Sequence, residues 1–112
     1  MALTQPQPQP QRKTAVRDGV TLDFGHIELT GSLVHDPGRE LLELITDEGP
    51  ERLATNLRGY GLVPAPGNVF VKDWSEHAGL TDSLVAQGLA KKVRQVAVGP
   101  FDSTAYEVEL TI

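Results

Sequence analysis

The sequence predicts an α+β domain in which one helix packs across a mostly antiparallel sheet of five or six strands. Short apolar runs separated by glycine and proline recur along the chain, which is typical of strands joined by turns. One stretch, near residues 75–88, carries apolar side chains at helical spacing. The last strand alternates apolar and polar residues, which indicates an antiparallel sheet with one solvated face.

The 112 residues fit a single domain, which we expect to occupy residues 15–112 after a disordered tail over residues 1–14. Within the tail, residues 5–11 alternate glutamine and proline and offer no apolar side chain to bury. This composition favours an extended, polyproline-like conformation. A solubilising role is the simpler interpretation of the tail, and a recognition role is the alternative.

The composition excludes several classes of protein. The chain has no cysteine, so it forms no disulfide and no thiolate metal site. No apolar run approaches the roughly 20 residues of a membrane span, and the start of the sequence lacks a signal-peptide core, so we expect no membrane contact. No nucleophile elbow, phosphate-binding loop or cofactor motif occurs. We therefore expect a protein that is not an enzyme and binds no cofactor.

A half-buried strand is predicted after Val20, because apolar and polar residues alternate as far as Phe24. The Asp-Gly pair at residues 18–19 predicts a turn before this strand. Gly25 predicts a bulge, past which the strand continues to Leu29.

Residues 40–57 are predicted to form a hairpin of two strands. The first strand covers residues 40–45, the turn covers residues 47–50, and the return strand covers residues 51–57. A short helix over residues 39–45 is the alternative, because the segment is rich in leucine.

The predicted helix follows a strand at residues 69–71, whose continuous apolar run indicates burial on both faces. The helix begins near Ser75 or Glu76, where Asp73 and Glu76 have the spacing of a capping box. It ends at Gly88, which suits the left-handed residue after a helix. Its buried stripe comprises Leu80, Leu84 and Val85.

The chain closes with a predicted β-hairpin around a turn at residues 99–103. In its second strand the apolar residues form one face, whereas Glu107 and Glu109 belong to the other, solvated face.

The order of these elements supports a family resemblance. A leucine-rich strand with an acidic Gly-Pro turn lies in residues 41–57, a buried strand and helix lie in residues 69–88, and Gly99 and Phe101 precede the strand at residues 106–110. The chain resembles a family of small uncharacterised proteins carried on conjugative transposons, plasmids and phages, catalogued as a domain of unknown function. The resemblance implies a mobile-element origin and a cytoplasmic location, and it implies no reaction.

Charge is distributed unevenly along the chain, whose net charge is −5. Residues 18–51 contain nine acids and one base, a local net charge of −8. Phosphate binding needs clustered bases, and three of them at residues 91–94 are too few, so this pattern disfavours direct nucleic-acid binding and favours a basic protein surface as partner. We expect an acidic binding face that comprises Glu40, Glu43, Asp47, Glu48 and Glu51.

Two further groups of residues carry candidate chemistry. Asp73, Glu76 and His77 combine carboxylates and an imidazole, as a divalent-metal site requires, but helix capping is the favoured explanation of the two acids. Trp74 and Tyr60 are possible aromatic anchors of an interface, although a place in the core is the favoured interpretation of Trp74.

These observations predict a non-catalytic accessory protein of a phage or mobile element that acts by binding another protein through its acidic face. An inhibitor of a host or defence protein, comparable to an anti-CRISPR protein, fits this description. The alternative is a small metal-binding protein or enzyme that uses Asp73, Glu76 and His77. An unpaired sheet edge also offers strand addition to a partner or to a second copy.

Overall fold

The computed structural model describes residues 14–112, which form two antiparallel sheets and one helix. Residues 1–13 lie outside the described part of the chain, and they include all of the predicted tail except residue 14. The elements in chain order are β1 (Ala15–Phe24), β2 (Ile27–Asp36), β3 (Leu41–Thr46), β4 (Gly49–Arg52), β5 (Ala54–Thr55), β6 (Val69–Lys72), α1 (Leu80–Ala86), β7 (Ala90–Val98) and β8 (Ser103–Leu110). Short 3-10 turns occur at Pro37–Arg39, Arg58–Tyr60 and Ser75–His77.

The α+β class is confirmed, but the single sheet of five or six strands is corrected to two sheets of four. The first sheet has the order β1-β2-β3-β4, and the second has the order β5-β6-β8-β7. The chain passes from the first sheet to the second at Leu53, which is fully buried. Its amide donates to the carbonyl of Leu42 at 2.9 Å, and its carbonyl accepts from the amide of Lys72 at 3.2 Å. The predicted return strand is thus divided between the sheets, which no local pattern indicates.

The hairpin around residues 40–57 is confirmed in its first half. Residues 41–46 form strand β3, not the alternative helix. The return strand β4 begins at Gly49, two residues earlier than predicted, because the turn consists of Asp47 and Glu48 alone.

In the first hairpin, the turn was predicted at Gly19 and the bulge at Gly25, and the structure has them the other way round. The turn lies at Gly25, where Phe24 faces Ile27 across β1 and β2, and the register shifts near Gly19 instead. Both glycines have φ of +66°, a left-handed conformation that glycine adopts without strain. Leu22 then lies opposite Leu29, so the observed register places these two side chains on the same face as Phe24 and Ile27.

The helix is shorter than predicted and begins at Leu80. Gly79 has φ of +92°, which separates α1 from the preceding 3-10 turn. Asp73 is a cap, as its position indicated, because its carboxylate accepts the amides of Gly79 at 2.9 Å and Thr81 at 3.0 Å. Glu76 is exposed and takes no part in the cap.

The main core lies between one face of the first sheet, α1 and one face of the second sheet. It includes Leu22, Leu33, Leu44, Leu80, Leu84, Val69, Val71 and Val108. Val85 of the predicted stripe is instead 38% exposed. A smaller core on the opposite face of the second sheet contains Leu57, Phe70, Val98 and Ala105, so β6 is buried on both faces as predicted.

Thr81 provides a stability prediction. Its side chain is fully buried, and its hydroxyl has no hydrogen-bond partner within residues 14–112. Thr81→Val keeps the shape and the backbone cap while removing a desolvated hydroxyl, so we expect it to raise the free energy of unfolding by about 1 kcal/mol. Thr81→Ser, which keeps the hydroxyl and loses the methyl group, is expected to lower it by about 1 kcal/mol. Urea denaturation measures both changes, and a valine variant less stable than the parent contradicts the prediction.

Candidate protein-binding surface

The first sheet has two faces that the strand register distinguishes. Directly paired residues of antiparallel strands project to the same side, and successive residues alternate. Leu33 pairs with the buried Leu44 and thereby marks the side that packs into the core. The opposite side, called the outer face below, carries Val16, Asp18, Thr21, Asp23, Glu28, Thr30, Ser32, Val34, Asp36, Leu41, Glu43, Ile45, Pro50 and Arg52.

Side-chain hydrogen bonds support this assignment. The hydroxyl groups of Thr21 and Thr30 lie 2.8 Å apart across β1 and β2. The Ser32 hydroxyl donates to Asp18 Oδ1 at 2.6 Å, which places that carboxylate on the outer face although it lies at the bulge of β1.

The outer face is strongly acidic. It carries five carboxylates and one guanidinium, that of Arg52, which gives a formal charge of −4. Three of the carboxylates, those of Asp23, Glu28 and Glu43, make no side-chain hydrogen bond or ion pair among the described residues. They therefore remain available to a positively charged partner.

Apolar side chains lie among these charges. Val16 is 58% exposed and Ile45 is 42% exposed, and Val34, half-buried, lies directly opposite Val16. Apolar residues at the centre of a patch with charged residues around them are the usual anatomy of a protein interface.

The five acids predicted to form one face are distributed over four places. Glu43 lies on the outer face, opposite Arg52. Glu51 pairs with Leu44 and therefore projects to the other side, where its Oε1 lies 3.2 Å from Nε2 of His77. Asp47 and Glu48 form the turn between β3 and β4.

Glu40 is engaged in a two-point ion pair with Arg58, in which one hydrogen bond joins Nη2 to Oε1 at 2.8 Å. The hydrogen bond from Arg58 holds the pKa of the Glu40 carboxyl below its ordinary value, and the same bond raises the pKa of Arg58. The Glu40 side chain is thus occupied within the chain.

Sequence reasoning counted the remaining acids of the outer face in the acidic segment but did not group them. They are Asp18, Asp23, Glu28 and Asp36. The alternation in β1 and β2 puts Asp23, Glu28 and Asp36 on one side once the turn is placed at Gly25, and the bulge near Gly19 brings Asp18 to the same side. The alternation that identifies this face is present in the sequence, but it was not recognised because the turn was predicted at the wrong glycine.

The proposed metal ligands do not converge. The Asp73 carboxylate caps α1, Glu76 is exposed, and the His77 ring stacks on Phe24 with centroids 5.9 Å apart. Within residues 14–112, no group of three or more histidine, aspartate and glutamate side chains is placed to hold a metal ion.

The two candidate anchors lie together at one end of the second sheet. Trp74 is half-buried and packs against the smaller core, whereas Tyr60 is 59% exposed. Both line a cleft of about 250 Å³, and Trp74 accordingly belongs in part to the core and in part to the surface.

Glu107 lies on a different kind of face from the one that the alternation in β8 predicts. It was expected on a solvated face, but only 3% of it is exposed, because the loop after β5 covers that face. Its carboxylate accepts from the amide of Ala65 at 3.0 Å, from Asn68 Nδ2 at 2.8 Å and from Arg94 Nε at 2.7 Å. Burial raises the pKa of Glu107, but these hydrogen bonds outweigh it and hold the pKa below its ordinary value.

The basic residues of β7 are mostly occupied. Lys92 Nζ donates to Asp82 at 2.6 Å, Arg94 pairs with Glu107, and Lys91 lies opposite Glu109. They do not form a free basic patch of the kind that phosphate recognition requires.

Comparisons with family models, with curated proteins and with solved structures found no match to this chain. Among residues 14–112, no helix has the length and apolar character needed to cross a membrane.

Proposed function

We propose that this chain is a non-catalytic protein-binding module that recognises a basic protein surface through the outer face of its first sheet. The observation that carries the proposal is the excess of carboxylates on that face, where five oppose a single guanidinium. Opposite charges on two surfaces accelerate encounter and exclude partners of the wrong sign. The exposed Val16 and Ile45 then supply apolar area to bury once contact is made.

The partner in this proposal is a different protein rather than a second copy of the chain. Two outer faces repel each other, since both are acidic. The free edge of β7 is also poorly suited to pairing with another strand, because a bulge interrupts it near Val93 and lysines precede the bulge.

On the resemblance alone, the proposal extends to a cytoplasmic accessory protein of a phage or other mobile element. An acidic sheet face has the same sign of charge as nucleic-acid phosphates, so it is suited to occupy the basic cleft of a host or defence protein. Inhibition of such a protein by occlusion is the mode of action we propose.

Charge reversal on the outer face tests the proposal. The triple variant Asp23→Lys, Glu28→Lys and Glu43→Lys changes side chains that have no partner among the described residues, so it is expected to fold normally. We expect it to lose affinity for the captured host partner by roughly tenfold or more. The measurement is quantitative capture from host lysate at two salt concentrations.

A second triple variant controls for net charge. Asp47→Lys, Glu48→Lys and Glu109→Lys make the same change in total charge at exposed positions away from the outer face. Capture of the same partner is expected to persist with this variant. Equal loss with both variants, or no loss with either, contradicts recognition through the outer face.

A further inference from the structure

A second cleft, of about 430 Å³, lies where the chain passes from the first sheet to the second. Arg39, Arg52 and Lys72 line it, and Glu40 is the single acid among the described residues that do so. The chain as a whole has a net charge of −5, so this group of bases is opposite in sign to the protein that carries it. Bases in a concave site attract anions more strongly than the same charges spread over an open surface.

The bases of this cleft are available to a ligand. Among residues 14–112, five bases make no side-chain hydrogen bond or ion pair with another described residue, and three of the five line the cleft. The five are Arg17, Arg39, Arg52, Lys72 and Lys91. Glu43 lies opposite Arg52 in the register of β3 and β4, but no ion pair joins the two side chains. The N–H groups of the three bases can therefore all donate to an anion.

The acid at the cleft is already neutralised. Both carboxylate oxygens of Glu40 accept hydrogen bonds from the guanidinium of Arg58. This ion pair contributes no net charge, so the three bases give the cleft a formal charge of +3. Glu40 also has φ of +51°, in the left-handed region that residues other than glycine seldom adopt. Strained backbone of this kind clusters at ligand-binding sites, where the surrounding contacts hold it in place.

The donors and the size of the cleft fit a small phosphorylated molecule. A guanidinium binds two phosphate oxygens through parallel hydrogen bonds, and a lysine adds a point charge beside them. The volume of the cleft lies in the range of small-molecule sites, roughly 300–1,000 Å³. Leu41 and Ala54 line the same cleft and offer apolar surface to the rest of the ligand. Asn56 accepts the amide of Arg58 through Oδ1, which leaves its NH₂ group to donate.

We propose that this cleft binds a small phosphorylated molecule, whose phosphate group is held by Arg39, Arg52 and Lys72. Three bases in one concave site suit a single phosphate group, whereas a nucleic-acid strand needs bases along its length. The proposal does not depend on recognition of a protein through the outer face. Arg52, the single base of the outer face, is the residue that the two sites share.

Titration of the full-length, nitrogen-15-labelled chain tests the proposal by NMR. The probes are inorganic phosphate and phenyl phosphate, each added at constant ionic strength, with sodium chloride as the reference anion. We expect both phosphates to cause saturable shifts of the Arg52 Nε–H signal and of the Asn56 side-chain amide signals, and chloride to cause none. Phenyl phosphate is expected to bind at least as tightly as inorganic phosphate, because the apolar side of the cleft accepts its ring.

Two matched variants make the outcome decisive. Arg39→Gln with Lys72→Gln removes two bases of the cleft, and we expect it to weaken binding of both phosphates by roughly tenfold or more. Arg17→Gln with Lys91→Gln makes the same change in total charge at bases outside the cleft, and binding is expected to persist.

Three results overturn the proposal. The first is the absence of saturable shifts with either phosphate, and the second is equal weakening by the two double variants. The third is binding of inorganic phosphate without binding of phenyl phosphate, since that result assigns the cleft to the free anion rather than to a phosphorylated molecule.

Discussion

Gly31→Ala is expected to lower the free energy of unfolding by about 3 kcal/mol or more. A Cβ atom at this position of β2 lies 2.0 Å from the carbonyl oxygen of Ile45 and 2.7 Å from its carbonyl carbon. Both are backbone atoms of β3, so relief requires a shift of the strand rather than a rotation of a side chain. Glycine at residue 31 is thus what allows the two strands to approach so closely.

Gly59→Ala is the matched control for this prediction. Nothing lies within 4 Å of a Cβ atom at Gly59, and its backbone is outside the left-handed region. We expect its stability to stay within about 0.5 kcal/mol of the parent or to rise slightly, because alanine restricts the unfolded chain. Urea denaturation of both variants at neutral pH measures the difference, and equal stabilities contradict the steric account.

Glu107→Ala is expected to lower the free energy of unfolding by about 3–5 kcal/mol. The substitution leaves the guanidinium of Arg94 and the donors of Asn68 and Ala65 without their shared acceptor. It also releases the loop that covers the smaller core, because this carboxylate joins the loop to β8. Glu109→Ala, two residues along the same strand and exposed, is expected to change stability by less than about 0.5 kcal/mol.

The lowered pKa of Glu107 gives this contribution a pH dependence of known sign. A carboxylate whose pKa is lower in the folded state than its ordinary 4.5 contributes stability above 4.5, and this contribution is lost as the pH falls through the folded value. Glu107→Gln removes the titrating group, so its stability is expected to fall less steeply than that of the parent under acid. Urea denaturation across the acid range measures the slopes, and parallel slopes contradict a titrating role for Glu107.

Local pattern was sufficient where the apolar residues and turn residues of one segment determine its structure. The buried strand at residues 69–71 and the closing hairpin were predicted, since hydrophobic periodicity and turn residues report them directly. Local pattern was insufficient where the position of a residue depends on contacts between two distant parts of the chain. The transfer of the chain between sheets at Leu53 and the burial of Glu107 depend on neighbours distant in sequence.

The candidate surface was predicted in its sign but not in its membership. Charge counts identified an acidic first half. Five of its acids lie close together in sequence between Glu40 and Glu51, so the prediction assigned the binding face to that hairpin. Neighbours in sequence, however, point to opposite sides of a strand. Glu43 shares a face with Arg52, its partner across the hairpin, and Glu51, the neighbour of Arg52, therefore projects to the other face. Only strand register brings acids from β1, β2 and β3 together.

The order of strands in the two sheets also bears on how the protein assembles. The first sheet joins strands that follow one another in the chain, so its contacts close short loops and form quickly. In the second sheet β8, the last strand, lies between β6 and β7. That sheet therefore cannot be completed until the final residues of β8 have left the ribosome. During synthesis the four strands of the first sheet can accordingly pair early, whereas β6 lacks its neighbour β8 until the end.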